Sequence, residues 1–162
     1  MTDGDFFTFS EYMKKEYDVL TASMEDYLEM TYRLAYKEGF TRIHELAKAL
    51  NVQPPSATKM IQKLAELKFI KYEKYGIIIL TEEGKNMGQY LLNRHNIVES
   101  FLKVIGISEN VLEQTEKVEH TINNQTIMHL KDFIDFVHTR PDVIEDFITF
   151  RNKRAILNKN SK

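Results

Sequence analysis

Residues 42–67 most constrain the fold, because they predict a helix, a short turn and a second helix. Asn51 lies in the turn, where asparagine tolerates a left-handed backbone. Pro54 and Pro55 begin the second helix, since proline suits the first helical turn. The small Ala47 allows the two helices to cross closely. This pattern is typical of a helix-turn-helix unit, although an ordinary helical hairpin would produce it as well.

A β-hairpin is predicted directly after the second helix. Ile70 and Tyr72 alternate with charged residues, residues 74–76 predict a turn, and a β-branched run follows at residues 77–79. A hairpin in this position is a wing, and together the two elements favour DNA binding over an ordinary helical hairpin. We expect base-edge and phosphate contacts from these side chains: Ser56, Thr58, Lys59, Gln62 and Lys63 on the outer face of the second helix, and Lys71 and Lys74 on the wing.

Charge is divided unevenly along the chain. The formal net charge is −2, which by itself argues against a nucleic-acid partner. Residues 41–75, however, hold seven basic and three acidic side chains, whereas residues 107–150 hold three basic and nine acidic ones. A basic block followed by an acidic block indicates one part that lies near phosphate and another that lies near cations.

Two helices are predicted before the helix-turn-helix unit. The first is a short amphipathic helix within residues 6–20. The second spans residues 23–38, with Ser23 as its N-cap and Gly39 as its stop.

The chain after Thr81 also predicts helices. A long helix ends at Gly106, and Ser108 is the expected N-cap of the next one. Breaks at residues 123–124 and 140–141 separate two more. The apolar content of these short helices is high, which indicates a subunit interface and therefore a dimer that reads a palindromic site.

The predicted fold is mainly α, with an N-terminal winged helix-turn-helix domain followed by an all-helical dimerisation domain. The expected parts are an N-terminal extension (residues 1–22), the DNA-binding domain (23–83), the metal-binding and dimerisation domain (84–142), and a C-terminal helix with a basic tail (143–162).

The chain has no cysteine, which excludes disulfides and thiolate metal ligands. The N-terminus carries acids where a signal peptide needs bases, and no apolar run approaches the roughly 18 residues of a membrane span. We therefore expect a cytoplasmic protein without membrane contact.

Residues 116–120 form an acidic cluster with one histidine. On a helix, Glu116, Glu119 and His120 are three and four residues apart, so their side chains share one face. Two carboxylates and an imidazole crowded in a dry setting would repel each other unless a cation joined them. Asp26 and Glu29, three residues apart on an early helix, and His95 on a third helix could complete a cage for a hard divalent metal. A solvated acidic face, with Asp26 and Glu29 only complementing a helix dipole, is the alternative.

Over residues 21–142 the chain resembles the manganese transport regulator branch of the diphtheria toxin repressor family. The resemblance is carried by seven strings: SMEDYLE at residues 23–29, PSATKMIQKL at 55–64, YEKY at 72–75, LT at 80–81, RH at 94–95, FLKVIG at 101–106 and VEH at 118–120. The family's iron-sensing branch has methionine where Asp26 stands and cysteine where Glu116 stands. The residues before Thr21 and the helix after Pro141 depart from the family pattern.

The resemblance implies a homodimeric, metal-activated repressor of metal-uptake genes that binds double-stranded operator DNA and no organic substrate. It places the family's metal ligands on six residues of this chain: Asp26, Glu29, His95, Glu116, Glu119 and His120. The implied co-repressor is Mn²⁺, with Fe²⁺, Zn²⁺ or Cd²⁺ as substitutes. Six ligands, four of them carboxylates, exceed what one ion needs, so we expect two ions per chain.

Two alternatives belong to other functional classes. A hydrolytic enzyme with a two-metal site would need an open coordination position and a general base, and it would leave the helix-turn-helix unit unexplained. A winged-helix regulator that senses an organic ligand would leave the acidic cluster as a solvated surface. Within the family, sensing of iron instead of manganese is the remaining alternative.

Overall fold

The computed structural model describes residues 20–160, which form seven α-helices and one three-stranded antiparallel sheet. These residues divide into two compact units between Leu92 and Asn93. The prediction of a mainly α fold with a winged helix-turn-helix unit is confirmed. The helix predicted within residues 6–20, and most of the extension at residues 1–22, lie outside the described residues.

Among residues 20–160, all three strands lie in the first unit. That unit contains α1 (Ala22–Ala35), β1 (Thr41–Arg42), α2 (Ile43–Ala49), α3 (Pro54–Glu66), β2 (Ile70–Tyr72) and β3 (Ile77–Leu80). Helix α4 (Glu82–Val104) contributes residues to both units, and the second unit continues with α5 (Val111–Glu119), α6 (Asn124–Thr139) and α7 (Pro141–Asn160). No helix within residues 20–160 is long and apolar enough to cross a membrane.

Helix α1 begins earlier than predicted, which corrects the assignment of Ser23 as its N-cap. Thr21 has an extended backbone, and its hydroxyl accepts a hydrogen bond from the backbone N–H of Met24 at 3.3 Å. Serine is the stronger N-cap of the two, so the cap is decided here by where the backbone leaves the extended conformation and not by side-chain preference. The helix also ends earlier, at Ala35, and Gly39 closes the turn that follows with φ of +80°.

Helices α2 and α3 form the predicted helix-turn-helix unit. Leu46 and Ala47 of α2 and Ile61 and Leu64 of α3 are buried in the core of the first unit. Asn51 has φ of 53°, so the left-handed conformation expected in the turn is confirmed.

The wing is a hairpin of β2 and β3, as predicted, but it carries a third strand that the sequence did not predict. Strand β1 pairs with β3, opposite Ile78 and Ile77. The carboxylate of Glu45 accepts hydrogen bonds from the Thr41 hydroxyl at 2.9 Å and from the backbone N–H of Arg42 at 3.0 Å. These bonds lower the pKa of Glu45 and join the first turn of α2 to the sheet.

The start of helix α4 lies directly against the beginning of the wing. The Thr81 hydroxyl accepts a hydrogen bond from the N–H of Gly84 at 3.0 Å and donates one to the carbonyl of Lys68 at 2.7 Å. A Cβ atom on Gly84 would stand 1.9 Å from the carbonyl oxygen of Phe69. Only glycine allows this approach, so the long helix and the wing are positioned by the same few atoms.

In the second unit, helix α5 starts two residues later than predicted. Its N-cap is Asn110, which has φ of 51°, and not Ser108. The left-handed residue turns the chain into the helix without a side-chain cap, so a preference for serine at N-caps did not locate it. Helix α6 begins after Asn123, whose side chain accepts from the N–H of Thr126 at 2.9 Å.

An apolar cavity of about 380 Å³ lies in the second unit between the last turns of α4, α6 and the start of α7. Its lining includes Phe101, Leu130, Phe133 and Phe147. Phe133 and Phe147 are also exposed at the surface, and α7 exposes further large apolar side chains: Ile148, Phe150 and Ile156. This exposed apolar surface fits the subunit interface that the sequence predicted.

Candidate metal centre

The acidic cluster of residues 116–120 is not a solvated face throughout. Glu119, near the end of α5, has a side chain that is 1% exposed, and His120 follows as the C-cap with a helical backbone. Glu116, one turn earlier, is 46% exposed. The spacing of three and four residues therefore points one carboxylate inward and leaves another at the rim.

Four predicted ligands of the second unit lie together. Oε2 of Glu119 is 3.1 Å from Nδ1 of His95, and Oε1 of Glu119 is 3.9 Å from Nε2 of His120. Oε1 of Glu116 is 3.7 Å from the same nitrogen of His95. The Glu119 carboxylate thus has an imidazole at each oxygen.

The donor atoms fit a divalent cation. Although Oε2 of Glu119 is fully buried and close to His95, it forms no hydrogen bond among residues 20–156. Burial of a carboxylate oxygen without a hydrogen bond destabilises the folded protein unless a cation supplies the missing interaction. Ligands at right angles on an ion with bonds of about 2.0–2.3 Å stand about 2.8–3.3 Å apart, which matches the separation of Glu119 and His95. Oxygen with some imidazole nitrogen is a ligand set for hard and borderline metals such as Mn²⁺.

Arg94 is a member of this site that the sequence did not identify. Its side chain is 1% exposed, and Nη2 lies 3.2 Å from Nδ1 of His120. The two residues are 26 positions apart, so no local spacing pattern relates them. The only sequence signal was the position of Arg94 beside His95 in one of the family strings.

The two remaining predicted ligands, Asp26 and Glu29, stand on α1 in the first unit. Glu29 is buried, at 7% exposure, and its Oε1 accepts hydrogen bonds from Nε of Arg33 at 2.9 Å and from Nη2 of the same residue. Asp26 is half-buried. Burial of Tyr27, together with the negative charge of Asp26, raises the pKa of the Tyr27 hydroxyl. A carboxylate that only complements a helix dipole can stay in solvent, so the dipole alone does not account for the burial of Glu29.

The predicted DNA contacts lie on one helix and one hairpin of the first unit. Ser56, Lys59, Gln62 and Lys63 of α3 are exposed, as are Lys71 and Lys74 of the wing. Thr58 is half-buried, and its hydroxyl donates to the carbonyl of Pro54 at 3.0 Å, so only its oxygen lone pairs stay available to a base edge. The sequence did not single out Tyr75, which is 90% exposed at the wing tip with φ of 61°.

A winged helix-turn-helix unit followed by a helical unit with a buried cluster of carboxylates and imidazoles defines the class of metal-responsive DNA-binding regulators. Residues 19–78 match the profile of the iron dependent repressor N-terminal DNA binding domain. Residues 81–147 match the iron dependent repressor metal binding and dimerisation domain. The chain belongs to the iron dependent repressor family, of which the diphtheria toxin repressor is a member.

Individual relatives point to the same function. The HTH-type transcriptional regulator MntR of Oceanobacillus iheyensis is 38% identical over 127 residues, which cover 78% of this chain and 86% of the relative. That of Geobacillus thermodenitrificans is 41% identical over 117 residues, which cover 72% of this chain and 83% of the relative. A crystal structure of the manganese-activated repressor ScaR in its apo form has 28% identity and a TM-score of 0.56. The match covers 68% of this chain and 54% of the ScaR chain, so this chain spans about half of that protein's length.

The chain is therefore a metal-responsive DNA-binding repressor, with operator DNA and a second copy of itself as partners. The relatives are transcriptional regulators and not enzymes, as predicted. Neither a hydrolase nor a sensor of an organic ligand is favoured.

Proposed function

We propose that this protein is a cytoplasmic, manganese-responsive repressor of metal-uptake genes, in which bound Mn²⁺ is the co-repressor and the operator is palindromic. One observation carries the proposal: the buried carboxylate of Glu119 has an imidazole at each oxygen, and its Oε2 forms no hydrogen bond among residues 20–156. The names of the relatives support manganese as the metal.

We propose six ligands that hold two ions per chain: Asp26, Glu29, His95, Glu116, Glu119 and His120. Glu119 is suited to serve both ions, since its two oxygens face different imidazoles. All six offer oxygen or nitrogen, and the chain has no cysteine that would favour softer metals. Fe²⁺, Zn²⁺ and Cd²⁺ are the expected substitutes, and later metals such as Zn²⁺ can bind more tightly by the Irving–Williams order in poorer geometry.

Metal would act on DNA binding by ordering the protein in advance. Asp26 and Glu29 belong to the unit that contains the helix-turn-helix, and the other four ligands belong to the second unit. A metal held by ligands from both units would restrict the freedom of one unit relative to the other. The two recognition helices of a dimer would then lose fewer conformations on binding DNA, so metal binding would raise DNA affinity.

We propose that Lys59, Lys63, Lys71 and Lys74 contact phosphates, and that Ser56, Thr58 and Gln62 approach base edges. Their exposure and their position on α3 and the wing support these roles. The polar side chains would carry sequence preference, whereas the lysines would add affinity for any duplex.

The test is a DNA-binding titration at one fixed salt concentration with no metal, Mn²⁺, Fe²⁺, Zn²⁺ or Cd²⁺. We expect tight binding to a palindromic operator only with metal, and the largest gain in affinity with Mn²⁺. The largest gain with Fe²⁺ would replace manganese by iron in the proposal. Equal DNA affinity with and without every metal would refute a co-repressor role.

Replacing Lys63 with alanine should weaken binding to all DNA sequences alike. A phosphate contact releases about one counterion, so the slope of log affinity against log salt should fall by about one unit. Filter binding or fluorescence anisotropy across a salt series measures this slope. Lys153→Ala, which removes an exposed lysine from α7, is the matched control and should leave the slope unchanged. An unchanged slope in Lys63→Ala would exclude Lys63 from the interface.

Replacing Asp26 with methionine should shift activation from Mn²⁺ toward Fe²⁺. The change exchanges a hard carboxylate for a softer thioether, which disfavours Mn²⁺. We expect the Mn²⁺ concentration for half-maximal DNA binding to rise about tenfold or more, a size typical of altered metal sites. Asp26→Asn, which keeps an oxygen donor of the same length, is the control and should change the ratio of Mn²⁺ to Fe²⁺ response less. A native response in Asp26→Met would show that Asp26 does not select the metal.

A further inference from the structure

Arg94 and His120 form a contact inside the second unit that the proposed metal centre does not explain. Nη2 of Arg94, on helix α4, lies 3.2 Å from Nδ1 of His120, at the end of α5. The arginine is 1% exposed, so it cannot exchange this partner for water without moving. The contact therefore fixes the state of a residue that is also a predicted metal ligand.

The chemistry of the two groups determines where the imidazole proton lies. A guanidinium only donates hydrogen bonds and stays charged at any physiological pH. Nδ1 of His120 must therefore be the acceptor, which means that it carries no proton. In the neutral ring the proton is then on Nε2, the nitrogen that lies 3.9 Å from Oε1 of Glu119.

This arrangement conflicts with ligation of a metal by either nitrogen of His120. Ligation through Nδ1 needs the lone pair that accepts from Arg94. Ligation through Nε2 requires an unprotonated Nε2, so the proton must move to Nδ1, where its N–H would oppose the N–H of Arg94. In both cases the Arg94–His120 hydrogen bond must break.

We propose that Arg94 is a positioning residue that holds His120 in the metal-free protein and must release it before His120 can ligate metal. Arg94 thereby competes with the metal and raises the concentration at which the repressor becomes active. Its fixed positive charge acts in the same direction, since it repels a divalent cation. This inference rests on the proposed metal-binding function of His120.

The state of the ring can be tested on the native protein with ¹⁵N-labelled histidine and arginine. Long-range ¹H–¹⁵N spectra distinguish the two tautomers, and Cd²⁺ is a diamagnetic probe that leaves the resonances visible. Without metal we expect the Nδ1 resonance of His120 to be that of an unprotonated nitrogen. With Cd²⁺ we expect a ligated nitrogen and the loss of hydrogen-bond coupling to the Arg94 guanidinium.

Two outcomes of this measurement would overturn the proposal. One is a proton on Nδ1 in the metal-free protein. The other is a ligated His120 that keeps its coupling to Arg94. If Cd²⁺ changes no His120 resonance, His120 is not a ligand and the inference about Arg94 fails, whereas the metal-dependent gain in DNA affinity tests the proposed function separately.

Substitution of Arg94 tests its effect on affinity. Arg94→Met has a similar length and removes both the donor and the charge, so free Mn²⁺ measured by electron paramagnetic resonance should show about tenfold tighter binding. Replacing a group that supports a metal ligand typically lowers metal affinity by about 10- to 100-fold, so a gain is the opposite of what a supporting role predicts. Arg94→Lys keeps a charged donor and should bind Mn²⁺ with an affinity closer to native. Weaker Mn²⁺ binding in a folded Arg94→Met protein would mean that Arg94 supports the ligand and does not compete with the metal.

Discussion

Replacing Glu119 with glutamine should abolish the gain in DNA affinity that Mn²⁺ confers, while the metal-free protein stays folded. Glutamine keeps the size of the buried side chain but cannot offer an anionic oxygen to each of the sites beside His95 and His120. In the native protein we expect a gain of about 5- to 150-fold, or about 1–3 kcal/mol of coupling. In Glu119→Gln that factor should be close to one, measured by operator titration with and without Mn²⁺.

A matched control separates loss of a ligand from loss of acidic charge. Glu113 lies on the same helix, is 62% exposed, and pairs with Lys117 at the surface. Such a pair contributes little to stability, so Glu113→Gln makes the same chemical change without touching the site. It should keep the native response to Mn²⁺. A native response in Glu119→Gln as well would remove Glu119 from the mechanism.

Thermodynamic linkage gives a second, independent readout of the same prediction. If Mn²⁺ tightens operator binding, operator DNA must tighten Mn²⁺ binding by the same factor. Calorimetric titration of Mn²⁺ with and without operator should show this factor in the native protein and its absence in Glu119→Gln. Because the substitution also removes a buried carboxylate charge, thermal stability without metal should hold or rise. Equal Mn²⁺ affinities in the native protein with and without DNA would contradict the co-repressor mechanism.

The DNA-binding unit could be predicted from sequence because its signals are local. Asn51 in the turn, the proline pair at residues 54–55 and the alternation at residues 70–73 each determine backbone geometry within a few residues. Strand β1 could not be predicted in the same way. It has two residues, too few for any periodicity. It forms by pairing with β3, 35 to 37 residues later in the chain, where Thr41 lies opposite Ile78 and Arg42 opposite Ile77.

The N-terminal boundaries of α1, at Thr21, and of α5, at Asn110, show why helix starts were predicted less well than the helices themselves. Near the first, two hydroxyl side chains two residues apart compete for the cap, and local preference, which ranks serine above threonine, selects the wrong one. At the second, the turn before α5 places Asn110 in the left-handed region, and a rule based on side-chain caps selects Ser108 instead. Both errors shift a boundary by two residues and leave the buried face of the helix unchanged.

The metal centre was predictable in part. The spacing of Glu116, Glu119 and His120 indicated a common face from the sequence alone, and His95 was a candidate to complete the cage that the family resemblance then placed among the ligands. Which carboxylate is buried could not be read from spacing, since it depends on how α4 packs against the end of α5. The same packing brings Arg94 to His120, so no spacing pattern in the sequence could place this basic residue inside an acidic site.

Replacing Gly84 with alanine should destabilise the first unit by about 2–3 kcal/mol, a typical cost of overpacking. The added methyl would lie 1.9 Å from the carbonyl oxygen of Phe69, which is backbone and cannot rotate away. To relieve the contact, α4 must move from the wing and lose the bonds that Thr81 makes to Gly84 and Lys68. Alanine favours a helix over glycine by about 1 kcal/mol, which is smaller than the steric cost. Thermal unfolding should show a midpoint lower by about 10–20 °C.

Gly39 provides the control for this substitution, because a methyl there meets nothing within 4 Å and only the backbone conformation, with φ of +80°, opposes it. Gly39→Ala should therefore cost about 1–2 kcal/mol, the penalty of a left-handed alanine. The order of the two variants is the decisive result. If Gly84→Ala proved as stable as native protein, helix propensity would outweigh the contact with Phe69, and α4 would not be fixed to the wing at this point. A larger loss at Gly84 than at Gly39 would show that close packing sets where the helix carrying His95 begins.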